Sequence, residues 1–163
     1  MTLVFTGTYE HTIDSKNRMA IPADIRTAMR KAGRSRAGPI VVYATLGEGQ
    51  SLYVYTARGF EQRAAELIDS QNDPDRLLVY ERMWFSLASR VEIDTAGRIR
   101  LPESLMQRAK IGREVVLLGV NDHMEIRDRA VWQEYVEQIL TEQPQLLMNP
   151  RRAISRHRPA QND

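Results

Sequence analysis

The segment that begins at Asp14 returns, altered but in the same order, at Asp94. Asp14-Ser15-Lys16-Asn17-Arg18-Met19-Ala20-Ile21-Pro22-Ala23-Asp24-Ile25 matches Asp94-Thr95-Ala96-Gly97-Arg98-Ile99-Arg100-Leu101-Pro102-Glu103-Ser104-Leu105 as acid, turn, arginine, apolar residue and proline. A repeat this long means one structural unit used twice. With 163 residues in all, each unit alone is too small to be more than marginally stable, so the two are expected to share a core.

Within the first copy, Tyr9 to Ile13 reads as a strand, Asp14 to Asn17 as a turn and Arg18 to Ile21 as the returning strand, a hairpin signature. Asn17 stands where the second copy has Gly97, and these residue types take positive φ most readily. Asp14 and Asp94 open the turns, where a carboxylate accepts from backbone N–H groups two residues on. Along the returning strands Met19 and Ile21 alternate with Arg18 and Ala20, and Ile99 and Leu101 with Arg98 and Arg100. Period-two alternation sends the apolar pairs inward and the arginines outward. Pro22 and Pro102 mark helix starts, and Gly33 and Gly112 the expected stops. Ile25, Met29 and Ala32 fall on the inner side of the first helix, Leu105 and Ala109 on that of the second.

Further on, Ile40 to Tyr43 corresponds to Val115 to Leu118, and Leu52 to Tyr55 to Met124 to Arg127, with extra loop in the first copy. Each copy then ends in an amphipathic helix, marked by Phe60, Ala64, Leu67 and Ile68 and by Trp132, Val136, Ile139 and Leu140. Asp73-Pro74 reads as the N-cap and first position of a helix between the copies. The expected organisation is a unit over 7–56, a helical connector over 57–85, a second unit over 86–129, a C-terminal helix over 130–142 and a flexible basic tail over 143–163 that carries Arg151, Arg152, Arg156 and Arg158.

The composition excludes several classes. There is no cysteine, which removes disulfides, thiolate zinc sites and thiol catalysis. The longest apolar run, Val115 to Leu118, is far too short to span a bilayer, and Met1 to Phe5 lacks a basic leader, so the cytoplasm is expected and a membrane is not. His11, His123 and His157 are scattered, and Gly47-Glu48-Gly49 lacks the lysine of a phosphate-binding loop. With no nucleophile and base in a usable pattern, neither an enzyme nor a cofactor is expected. A net charge of +2 says little about a polyanionic partner, because binding follows where the charges sit.

Phe5-Thr6-Gly7, Asp14-Ser15-Lys16-Asn17-Arg18, Arg82 with Phe85 and Ala88, and Asp94-Thr95-Ala96-Gly97-Arg98 together closely resemble the MraZ family of bacterial proteins with tandem SpoVT/AbrB-type domains. The resemblance runs from about Phe5 to Ile139. It implies an α+β fold in which two pseudo-symmetric AbrB-like units of β-hairpin and short helix form a shared small β-barrel or sandwich, with flanking amphipathic helices. It also implies a sequence-specific transcriptional regulator of the division and cell-wall gene cluster, its own promoter included. Such a regulator binds repeated operator boxes in double-stranded DNA as a ring-shaped homo-oligomer, in the cytoplasm and associated with the nucleoid. The family has glycine where this chain has Asn17, a change that keeps the turn but bears on the placement of Lys16 and Arg18.

The resemblance places Arg18 and Arg98 against DNA, with Asp14 and Asp94 orienting the arginines or bracing the turns that Asn17 and Gly97 shape. Physically, an arginine at the tip of a hairpin presents donors in a fixed fork suited to phosphate oxygens or to guanine O6 and N7, and a two-stranded ribbon fits the major groove. Lys16 and Arg100 are further candidates. Lys16 has Ala96 as its counterpart and Arg100 has Ala20, so the two basic faces differ. Arg26 and Arg108 lie on the following helices and flank the same surface, although solvated helix faces collect arginine anyway. The rival reading is an AbrB-like protein-binding module, antitoxin-like or scaffolding. Against it, the tail from Thr141 is rich in proline and arginine and poor in aromatics. RNA binding is a third reading, but no stacking aromatics are interleaved with Arg18 or Arg98.

Overall fold

Residues 3–33, 37–68 and 73–148 are described by the computed structural model, and within them the two copies share one element order. The first runs β1 (Thr8–Thr12), β2 (Arg18–Ala20), α1 (Ala23–Ala32), β3 (Val41–Gly47), β4 (Ser51–Thr56) and α2 (Ala57–Ile68). The connecting helix α3 (Pro74–Ser86) follows, then β5 (Ser89–Glu92), β6 (Arg98–Arg100), α4 (Glu103–Ala109), β7 (Glu114–Val120), β8 (His123–Asp128) and α5 (Arg129–Glu142), with a short α6 (Gln145–Met148) at the end. The fold is α+β, and its strands pair antiparallel.

The strands on either side of each turn do not form a ladder with one another, which corrects the expected hairpin. β1 pairs with β7 of the second copy, and β5 pairs with β3 of the first. The large sheet therefore has the order β1-β7-β8-β4-β3-β5, while β2 and β6 form a separate two-stranded ladder. Exchanging equivalent strands reverses the large sheet's order and returns it unchanged, the mark of a pseudo-twofold relation. The first turn is closed by Asp14 N to Arg18 O at 3.0 Å and Asn17 N to Asp14 O at 3.0 Å. Just outside it the strands part: Ile13 N donates to Arg113 O at 2.8 Å, and Ile21 N to Gly97 O at 2.9 Å. Alternation tells which face of a strand is buried but not which strand lies beside it.

This exchange gives the two copies a single core. Met19, Ile21, Ile99 and Leu101 from the small ladder, Ile25, Met29, Leu105 and Met106 from α1 and α4, and Val42, Leu52, Val54, Val115, Leu117, Met124 and Ile126 from the large sheet form one buried cluster. The helix α4 of the second copy packs on β3 and β4 of the first. α1 and α4 begin directly after Pro22 and Pro102, as the prolines require. α1 stops at Ala32 with Gly33 just past its end, as expected, but α4 ends earlier than Gly112. Gly33 is extended, and α4 stops at Lys110, which takes the left-handed conformation at φ 53. The cause is Ile111: its N–H reaches back to Met106 O at 3.2 Å, turning the side chain into the core.

In α3 Asp73 is the N-cap, its carboxylate accepting from Asp75 N at 3.1 Å, with Pro74 in the first turn. An aromatic stack holds the helices to the sheet: Tyr43 lies 4.4 Å from Phe60, and Phe60 lies 4.8 Å from Trp84, between ring centroids. The amphipathic pattern in α2 is weaker than its spacing implied, for Phe60 is half-buried and Ile68 exposed. A second compact unit starts at Ala130. Within it Trp132 stacks on Tyr135 along α5. Arg151, Arg152, Arg156 and Arg158 of the expected tail lie outside the described residues.

Candidate nucleic-acid interface

Each repeat turn is built around one aspartate. Asp14 Oδ1 accepts from the backbone N–H groups of Lys16 and Arg18, both at 2.9 Å, and its Oδ2 accepts from Arg18 Nε at 2.8 Å. Asp94 does the same with Ala96 and Arg98 at 2.9 Å and with Arg98 Nε at 3.3 Å. The aspartates thus both brace the turn and orient the arginine. Bonding from the Arg18 N–H, before other contributions, holds the Asp14 carboxyl below the usual range, and the Arg98 N–H does so for Asp94. Each aspartate takes only Nε, which leaves the two terminal nitrogens of the guanidinium available to other acceptors. Asn17 at φ 59 and Gly97 at φ 80 supply the left-handed step that both turns need.

The β2–β6 register brings the two repeats' arginines together. Arg18 stands opposite Arg100, Met19 opposite Ile99 and Ala20 opposite Arg98. Met19 and Ile99 point into the core, so Arg18, Ala20, Arg98 and Arg100 share the outer face. Like charges directly opposite each other cost stability in a sheet. Arg18 is partly offset by Asp14, and Arg100 makes no ion pair with a carboxylate among the described residues. Lys16 is exposed beside this end of the ladder.

Arg26 does not flank the surface at large but packs on the second turn. Its Nε donates to Ile21 O at 3.0 Å, and its guanidinium lies against Gly97, where an added Cβ would fall 2.6 Å from its Cζ. Arg108 is exposed in the last turn of α4, where the helix dipole favours a cation, and among the described residues no ion pair joins it to the turns. One basic residue escaped the reading of the sequence. Arg113 is exposed and donates through Nη1 to the carbonyl oxygens of Asp14 and Ile13, so the second copy clamps the first turn. Its positional counterpart at the other turn is Ile40, which carries no charge. Only the strand exchange puts Arg113 there, so no local motif announced it.

A second polar cluster, also unforeseen, lies on β8. Arg63 of α2 pairs with Asp122, Asp122 and Glu125 bracket His123, and Glu125 pairs with Arg127. His11 is not part of it. The His11 ring is half-buried on β1, its basicity lowered by burial and by Arg129.

A tandem α+β body with swapped strands and two aspartate-braced arginine turns beside one outer ladder defines a class of duplicated swapped-strand proteins. Comparison with known proteins gives the family within that class. The model of the MraZ protein family, described as antitoxin-like, matches residues 4–80 and again 84–152. The transcriptional regulator MraZ of Mycoplasma mycoides is 31% identical over 134 residues, covering 82% of this chain and 94% of the relative. Those of Moorella thermoacetica and Finegoldia magna are each 33% identical over 132 residues, covering 81% of this chain and 86% of each relative. The chain belongs to the MraZ family. It is a transcriptional regulator rather than an enzyme. No helix among the described residues is long and apolar enough to cross a membrane.

Proposed function

We propose that this regulator binds double-stranded DNA with the outer face of the β2–β6 ladder, at repeated operator boxes that include those upstream of its own gene in the division and cell-wall cluster. The observation that carries the reading is the like-charge register of Arg18 and Arg100, flanked by Arg98 and Lys16. A phosphate or a guanine edge against that face relieves the repulsion and receives the terminal nitrogens that the aspartates leave over. Arg18, Arg98, Lys16, Arg100 and Arg26 are the contacts, with Asp14, Asn17, Asp94 and Gly97 shaping the turns.

The regulator acts as a ring-shaped homo-oligomer in the cytoplasm, associated with the nucleoid. One subunit offers few cations, and repeated subunits on repeated boxes raise avidity through effective concentration. Self-association is supported by the exposed apolar side chains of Leu78, Val79 and Met83 on α3. The test is a gel shift with the full chain and DNA from upstream of its gene, with boxes intact or scrambled. Preference for intact boxes is the expected result, and equal binding to both would favour the antitoxin-like or scaffolding alternative.

A further inference from the structure

Strand exchange changes what counts as one site. In the sequence, Arg98 and Arg100 belong to one copy and Lys16 and Arg18 to the other, which reads as two basic tips of equal size. In space, Arg100 is the cross-strand partner of Arg18, and Arg113 clamps the same turn. At the opposite end of the ladder Arg98 faces Ala20, and the added cation comes from the first copy, as Arg26 packed on Gly97.

We propose that the ladder carries two composite and unequal DNA sites, each made by both repeats: Lys16, Arg18 and Arg100 at the first turn, with Arg113 behind them, and Arg98 with Arg26 at the second. The inference rests on the DNA-binding reading above and deepens it. The pseudo-twofold body is symmetric in its strands but not in its charges. The counterparts of Lys16, Arg100, Arg113 and Arg26 are Ala96, Ala20, Ile40 and Met106. A surface with more cations at one end binds a duplex in a preferred orientation, since the richer end demands more phosphate or guanine contacts.

Double-mutant cycles on the full chain test this, with a duplex from upstream of its gene as probe. Arg18→Ala, Arg98→Ala and Arg100→Ala are each expected to weaken binding about fivefold or more. Across the ladder, Arg18→Ala and Arg100→Ala share one site, so their combined loss should depart from the product of the single losses by about twofold or more. Along the strand, Arg98 and Arg100 are also neighbours, two strand rises apart, so Arg98→Ala and Arg100→Ala should depart from the product of their single losses by less than Arg18→Ala and Arg100→Ala do. Coupling of Arg100 to Arg98 that equals or exceeds its coupling to Arg18 overturns the composite sites while leaving DNA binding intact. Unchanged affinity in all three single variants overturns the DNA-binding reading itself. For the second site, Arg26→Met copies the residue at the equivalent position of the other repeat. It should lower the slope of log affinity against log salt by about one, with Arg26→Lys restoring it and the melting temperature little changed. A salt slope unaltered by Arg26→Met removes Arg26 from the site.

Discussion

The guanidinium of Arg26 fills the space that a side chain at Gly97 would need, lying 2.6 Å from where a Cβ would sit. Gly97 also holds φ 80, so two separate demands fall on one residue. At the other turn Asn17 holds φ 59 with its side chain in place, and the counterpart of Arg26 is Met106. Gly97→Ala should therefore destabilise by about 1–2 kcal/mol, while Asn17→Gly should stay within about 0.5 kcal/mol of neutral. Urea unfolding of both variants checks this. In the Gly97→Ala background, Arg26→Met should recover part of the loss, and failure to do so would show that φ alone sets the cost.

Asp14 separates two jobs that substitution can pull apart. Asparagine keeps one acceptor for the Lys16 and Arg18 N–H groups but puts a donor where Arg18 Nε now donates. Asp14→Asn should leave the melting temperature near that of the parent chain and still weaken DNA binding. Asp14→Ala should lower both. Because folding depresses this carboxyl's pKa, its contribution to stability is in place at neutral pH. It is lost on acidification through the depressed folded value, and the aspartate-to-alanine difference in acid unfolding should shrink there.

Arg18→Ala and Arg98→Ala should each weaken binding to intact boxes by about 1–3 kcal/mol if they read bases, with little change in unfolding. Binding by the parent chain should also fall steeply as salt rises, because phosphate contacts release counterions. Titrations by fluorescence anisotropy at several salt concentrations measure both effects. Equal losses on scrambled DNA would assign the arginines to phosphate contact rather than to base reading.

What the residues disclosed in advance was mostly local, the stop of α4 at Lys110 rather than Gly112 being an exception. Asp14 and Asp94, the left-handed step at Asn17 and Gly97, the proline helix starts and the inward Met19 and Ile99 all follow from interactions within a few positions. Pairing partners were not legible, because alternation looks the same whether β1 lies beside β2 or beside β7. Arg113 and the opposition of Arg18 to Arg100 are consequences of that pairing, and so escaped notice. The match of Ile40 to Val115 was also displaced by two positions. The ladders make Val41, opposite Glu92, the equivalent of Glu114, opposite Thr12. A slip of two keeps every side chain on its own face, so the burial pattern gave no warning.

Ile99 and Met19 meet across the small ladder with relative exposures of 0% and 1%. They are the only inward residues between the arginines, so the outer face rests on them. Ile99→Ala should cost about 2–5 kcal/mol by removing buried methylenes and leaving a cavity. The change is read from the urea midpoint, with an unaltered slope showing that the unfolded state is the same. A loss under about 1 kcal/mol would mean that the ladder collapses onto the gap.

His123 links the first copy's helix to the second copy's strand through a chain of hydrogen bonds and ion pairs, while its ring packs on Tyr53 and Tyr55. Its Nδ1 lies 2.7 Å from Asp122 and its Nε2 lies 3.2 Å from Glu125, while Arg63 and Arg127 hold the outer oxygens of those carboxylates at 2.6 and 2.7 Å. Only the doubly protonated ring donates to both neighbours. Burial pulls its pKa down, but the bonds to Glu125 and Asp122 outweigh burial and raise it above 6.5. A raised folded value means that this stabilisation is complete below the unfolded pKa and is lost as pH rises through the folded one. The unfolding free energy of the parent chain relative to His123→Gln should therefore be larger at about pH 6 than at about pH 9, on either side of the ordinary histidine range. Helix α2 is tied in through Arg63 and Asp122, so its amide protons should exchange faster at the higher pH after correction for intrinsic rates. A difference between the two proteins that stays constant across that interval would show that His123 is held neutral, with Asp122 and Glu125 fixed by their arginines instead.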